Sequence, residues 1–246
     1  MSHHSEFKSG RAPKWCFLFL LMTVWLVAAT YARAADSELT YLFHEPAKPS
    51  ARPPLIVLLH GSGSDENDMI GLWPQLPEGF VVVSPRAPFG DPASGYRWYR
   101  KGASIDADIR LSCDGISKLV ETAVNRFHAD PQRVFLAGFS QGAVMVYHAV
   151  LGAPGRFRGA AVLSGSLYAF DDRKLSPKAD LAHESFFIGH GTADERIPFA
   201  SGRHAHDVLD RLGVPNAFHS YERMHHEIGD REMQDLNAWL AERGAS

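Results

Sequence analysis

Cysteine is scarce in this chain. Its 246 residues include two, Cys16 and Cys113, too few for a disulfide scaffold, and no Cys-x-x-Cys pair suggests a zinc site. Charge of one sign is scarce as well. A net charge of −3 creates no field that would gather nucleic acid or an anionic membrane surface. No internal repeat or low-complexity tract is present. What remains is ordinary: 45% apolar and 22% charged residues, the balance of a globular protein with a real core. At ~100–200 residues per domain, the length predicts one domain, at most two.

The N-terminus reads separately. Lys8, Arg11 and Lys14 precede an uncharged apolar run, WCFLFLLMTVWLVAATYA (15–32), and Ala32-Arg33-Ala34 follows. A positive flank, an apolar run and small residues at the −3 and −1 positions predict a secretory signal peptide over 1–34, cut between Ala34 and Ala35. The rival reading is an uncleaved membrane anchor, because the run is about as long as a short spanning helix. Cys16 sits at the wrong end of the run for a lipidated cysteine. The expected location is periplasmic or secreted, with membrane contact only if the leader stays. Cys113 would then be a lone thiol in an oxidising compartment.

Over 35–246 the sequence predicts a single domain. Apolar β-type runs occur at LIVLLH (55–60), FVVVSP (80–85), VFLAGF (134–139), GAAVLSG (159–165) and ESFFIGH (184–190), with AFHSYERM (217–224) weaker. They lack strict polar alternation, as expected of strands covered on both faces. Helical patterns lie between them at 106–127, 141–152, 199–212 and 230–242. In the first, Ile109, Ile116, Leu119, Val120, Ala123, Val124 and Phe127 fall mostly on one face. The proline-rich AKPSARPP (47–54) reads as a short hairpin or loop. Strands alternating with helices predict an α/β fold with a mostly parallel central sheet and helices on both faces. In such sheets ligands bind beyond the carboxyl ends of the strands.

Four loops after predicted strands carry chemistry. VFLAGF runs into Gly138-Phe139-Ser140-Gln141-Gly142. A sharp strand-to-helix turn exposes its middle residue and needs small neighbours two positions away. Ser140 is thereby a candidate nucleophile. Gly61-Ser62-Gly63-Ser64-Asp65-Glu66-Asn67-Asp68 follows LIVLLH. Such a loop can turn an amide inward, and the amides of Ser62 and Gln141 are the candidate oxyanion donors. A calcium loop is excluded by Met69, which stands where an oxygen ligand is required. Gly191-Thr192-Ala193-Asp194-Glu195 offers a carboxylate to orient a histidine, Asp194 or its neighbour Glu195. His225-His226-Glu227-Ile228 offers the base, and spacing alone leaves both imidazoles open. His-Glu-x-x-His zinc chemistry fails because position 230 is aspartate. The order Ser, Asp, His is that of α/β-hydrolases.

These segments resemble the phospholipase/carboxylesterase family of α/β-hydrolases, the bacterial carboxylesterases related to acyl-protein thioesterases. The likeness covers about residues 53–241 and rests on LIVLLHGSGSDENDM, SPRAP (84–88), VFLAGFSQGAVM, FRGAAVLSG (157–165), GHGTADERIP (189–198) and MHHEI (224–228). It implies Ser140 as nucleophile, Asp194 as acid and His226, directly before a glutamate, as base. The Ser62 and Gln141 amides would form the oxyanion hole. His225 departs from the family, which usually has glycine there, and a leader departs from its mostly cytosolic members. The implied activity is hydrolysis of small carboxylic esters with no metal or organic cofactor. Lysophospholipids, thioesters, polyesters and cell-wall (feruloyl-type) esters are alternative substrates, and a catalytically dead binding module is the non-enzymatic alternative.

Segment 86–104 carries Phe89, Tyr96, Trp98 and Tyr99. Phe89, Trp98 and Tyr99 are candidate walls of an acyl pocket, or they pack the loop onto the sheet. Arg97, Arg100 and Lys101 read as a solvated face, and His204 and His206 as surface residues.

Overall fold

The computed structural model describes residues 39–102, 104–171, 175–176, 181 and 183–244. The leader at 1–34, with Cys16, lies outside them.

Seven strands form one sheet in the order β1-β3-β2-β6-β7-β8-β9: β1 Tyr41–His44, β2 Leu55–Leu59, β3 Val81–Pro85, β6 Val134–Phe139, β7 Gly159–Leu163, β8 Phe186–Gly191 and β9 Asn216–Tyr221. Every pairing is parallel except β1 with β3. A separate antiparallel pair, β4 Phe89–Asp91 and β5 Gly95–Arg97, stands inside the segment read as a loop.

Alternation along each strand splits the core in two. Leu55, Val57 and Leu59 of β2 join Val134 and Leu136 of β6 in one apolar cluster. That cluster includes helices α2 Ile105–Arg126, α3 Gln141–Gly152 and α4 Phe199–Leu212. Ile56 and Leu58 join Phe135 and Ala137 in a second cluster, with the short helix α1 Glu66–Ile70 and α5 Asp230–Gly244. Both faces of the sheet are therefore buried, which is why the strands read as continuous apolar runs. This is the α/β-hydrolase architecture.

Three differences from the sequence reading have local causes. Strand β1 was not expected, being a four-residue antiparallel edge strand with only Tyr41 and Phe43 buried. Helix α1 begins inside the stretch read as glycine-rich loop: Asp65 caps it by accepting the Asn67 amide at 2.9 Å. His206 is half-buried, with its ring stacked on Phe218 and bonded to Asn216. Cys113 is half-buried on α2, where burial pushes its thiol up to about 12. Among the described residues no helix is long and apolar enough to cross a membrane.

Glu232, in the first turn of α5, is fully buried against β8. Gly189 makes room for it: a methyl group there would overlap the carboxyl. Burial pushes that carboxyl up to about 8, only partly offset by the Gly229 amide. Between about 4.5 and about 8 the folded chain keeps a proton that the unfolded chain releases. Stability contributed at this site is thus full at low pH, falls as pH rises through that window, and levels off above it. Glu232→Gln is expected to flatten the fall, gaining on the order of a few kcal/mol over wild type above pH ~8 and little below pH ~4.5. Urea midpoints across that range check it; a variant with the wild-type slope would refute it.

Candidate active site

Parallel register brings four strand ends to one edge. Leu59 of β2 pairs with Gly138 of β6, Phe139 with Leu163 of β7, and Leu163 with Gly189 of β8. The chain runs from β2 outward to β3 and then returns to place β6 on the other side of β2. The β2–β6 boundary is thus a switch point, where open α/β sheets bind ligands. Ser140 follows β6 there, beside the loop that follows β2.

Ser140 has φ 55° and ψ −114°, a region that costs roughly 1–3 kcal/mol for a non-glycine residue. Its amide donates to the Leu163 carbonyl at 3.0 Å, and α3 begins at the next residue. A Cβ at Gly138 would lie 2.5 Å from the Gly142 backbone, and one at Gly142 would overlap the Leu59 carbonyl. The glycines flanking the serine are therefore a packing requirement of the turn.

The Ser140 hydroxyl donates to His226 Nε2 at 2.8 Å. His226 Nδ1–H donates to Asp194 Oδ2 at 2.8 Å. The imidazole and the carboxylate are 5% and 0% exposed, so water competes little for either bond. Asp194 Oδ1 accepts the Arg196 and Ile197 amides, each at 2.9 Å. Burial pushes the Asp194 carboxyl upward, but the His226 bond and the two amides outweigh it and hold it below the usual carboxylate range. The two alternatives left open by spacing are elsewhere: Glu195 and His225 form an exposed pair at 3.3 Å. The row Ser140–His226–Asp194 can move a proton from a hydroxyl to an imidazole whose charged form the carboxylate favours.

Gln141 opens α3, so its amide has no acceptor within the helix. Its side chain does a different task. Oε1 accepts the Trp98 amide at 2.7 Å, and Nε2 donates to the Tyr99 carbonyl at 2.8 Å. Ser62 lies in the exposed turn after β2. That turn is pinned by Gly63 and Tyr96, whose backbones bond at 2.8 Å.

His60 was not singled out from the sequence. It is fully buried, accepts the Ala87 amide at Nε2 (3.0 Å) and donates from Nδ1 to the Gly61 carbonyl at 2.7 Å. Burial pushes it below the ordinary imidazole value, so it serves as a neutral brace under the Ser62 loop. Arg86 adds a second brace, donating from Nε and Nη2 to the buried Glu66 carboxylate and stacking over Tyr96 at 4.6 Å.

Of the candidate acyl-pocket walls, Trp98 needs correction. Trp98 is 0% exposed, its indole N–H donates to the His60 carbonyl at 2.9 Å, and it offers no surface to a ligand. Phe89 is half-buried beneath the Arg100 guanidinium, 4.5 Å from its ring centre. Arg100 also forms a two-pronged bridge to Asp108 while its side chain stays exposed, as read from the sequence. Tyr99 is buried, with its ring stacked 5.9 Å from Tyr168, whose side is exposed. Among the described residues no cluster of three or more metal-ligating side chains exists.

Comparison with known proteins decides the family. The sequence profile of the phospholipase/carboxylesterase family matches residues 44–243. This chain belongs to the phospholipase/carboxylesterase family. Among similar proteins, the carboxylesterase SOBER1 of Arabidopsis thaliana is 31% identical over 115 residues, 46% of this chain and 50% of that protein. The chain thus spans about half the length of such relatives. Esterase YpfH of Escherichia coli matches more widely, 28% identical over 204 residues, 79% of this chain and 84% of the other. A carboxylesterase structure from Mesorhizobium loti superposes with a TM-score of 0.74 at 24% identity, covering 86% of this chain and 99% of that one. That likeness establishes the shared fold.

Proposed function

We propose that this phospholipase/carboxylesterase-family protein hydrolyses carboxylic esters through an acyl-enzyme on Ser140. The observation that carries the proposal is the buried row of two 2.8 Å hydrogen bonds from Ser140 through His226 to Asp194. Ser140 Oγ attacks the ester carbonyl carbon while its proton passes to His226 Nε2. Charge gathers on the carbonyl oxygen, where the Ser62 and Gln141 amides stabilise it; each donor contributes roughly 3–4 kcal/mol in such sites. His226 gives the proton to the departing alcohol oxygen, and the C–O bond breaks. Water then attacks the acyl-enzyme, losing a proton to His226, which returns it to Ser140 as the acid leaves. Asp194 holds the tautomer that allows both transfers.

Short-to-medium acyl esters are the proposed substrates. A thioester would pass through the same acyl-enzyme, and relatives include a protein named acyl-protein thioesterase 1 from Debaryomyces hansenii, 29% identical over 143 residues. Fluorophosphonate labelling tests the nucleophile: one adduct per chain is expected, on the peptide bearing Ser140. An unlabelled protein, or an adduct on another serine, would refute the reading. The leader reading is a proposal of the same standing, supported by the residues around Ala34. Exported protein that still begins at Met1 would overturn it.

A further inference from the structure

Asp194 faces two imidazoles, not one. His190, near the end of β8, is 0% exposed, and its Nε2 lies 3.5 Å from Asp194 Oδ2, the oxygen that holds His226. The same Nε2 is 2.9 Å from the Ile197 carbonyl. A carbonyl only accepts, so Nε2 carries the hydrogen. Ile197 is the residue whose amide binds the other Asp194 oxygen, Oδ1. His190 thus donates to the backbone of the acid loop and stands close against its carboxylate. Nδ1 has no hydrogen-bond partner among the described residues. It faces Gly202 of α4, with the edge of Phe199 packed nearby, ring centres 6.0 Å apart at 80°. A proton on Nδ1 would find no acceptor, so this imidazole is placed to donate and not to relay.

We propose that His190 is a positioning residue: through its Nε2 hydrogen bond to the Ile197 carbonyl it fixes the 194–197 turn whose amides hold the Asp194 carboxylate, and thereby the orientation of His226. The proposal rests on the triad reading above. It makes the histidine at the end of β8 part of the acid's support, as the two amides are. Support groups behind a reacting side chain commonly matter by 10–100-fold when lost, because small displacements of a proton-transfer partner are costly.

Three variants test it, each measured as kcat per fluorophosphonate-labelled site, so that unfolded chains drop out of the count. His190→Leu removes the donor and is expected to lower kcat per labelled site roughly 10- to 100-fold with KM changed less than about twofold. In His190→Gln the carboxamide N–H can reach the place of Nε2, and kcat should return to within about fivefold of wild type. Gly202→Ala leaves every polar group in place but sets a methyl 2.7 Å from Nδ1. It is expected to lower kcat although alanine favours the helix. A His190→Leu protein with wild-type kcat per labelled site, or a His190→Gln protein as impaired as it, overturns the proposal. Should His190→Leu not fold, Gly202→Ala decides, and wild-type kcat there overturns it. Ser140→Ala measured alongside separates the two readings. An active Ser140→Ala sinks the triad itself, whereas an inactive one beside a fully active His190→Leu sinks only the role of His190.

Discussion

Ser140→Ala is expected to lower kcat for p-nitrophenyl butyrate by roughly six orders of magnitude, the loss typical when a triad nucleophile is removed. The size follows from what Ser140 is asked to do. In the proposed mechanism it supplies the attacking atom, and the strained turn holds that atom 2.8 Å from His226 Nε2. Alanine keeps the backbone, the flanking glycines and the helix start, so the fold should survive with its thermal midpoint little changed. The amides remain, and a residual catalysis of about 10³–10⁴ over water is expected from them and from binding alone. Activity above about a hundredth of wild type would place the nucleophile elsewhere.

Asp194→Asn should cost about 10⁴ in kcat, nearly as much, though no atom of residue 194 touches the ester. Oδ1 holds two backbone amides, so the asparagine oxygen will stay on them. Its NH₂ then faces His226 Nδ1, where a carboxylate had accepted a hydrogen. The imidazole must turn its lone pair to that NH₂ and carry its proton on Nε2, opposite the Ser140 hydroxyl. Two donors then meet, and the serine proton has nowhere to go. Kinetics on this variant and a crystal structure of it check the argument together. Near-wild-type kcat with an unmoved side chain would show that the carboxylate charge and its acceptor role are dispensable. Acid should reach the wild-type site late, because Asp194 is held below the ordinary carboxylate range. Stability from this carboxylate is present above the unfolded value near 3.8 and is lost as pH falls through the lower folded value.

The central strands were legible because burial on both faces leaves no room for polar residues, and the six predicted runs coincide with β2, β3, β6, β7, β8 and β9 to within a few residues. Ser140 was legible because two glycines around one serine state a steric condition. The edge strand β1 was not, since a single covered face writes only two apolar residues, Tyr41 and Phe43. Helix α1 has five residues, too few for periodicity to show. His60 and His190 were missed for a shared reason. Each is a histidine directly before a glycine at the end of an apolar run, and each looks like the strand giving out. A fully enclosed polar ring at a strand end needs partners, and His60 bonds Gly61 and Ala87 while His190 bonds Ile197 through Nε2, all in the loops that follow the strands. The aromatic segment misled in the other direction: Trp98 has the composition of a pocket wall but the indole N–H partner of a core residue.

The small β4–β5 ribbon is lashed on several sides. Tyr96 bonds the Gly63 and Ser64 backbone, Trp98 reaches His60, and Gln141 clasps residues 98 and 99. The ribbon, the turn after β2 and the first residue after the serine therefore form one stiff unit with no seam between them. It therefore yields to the replacement of individual side chains, and not to the loosening of any one part.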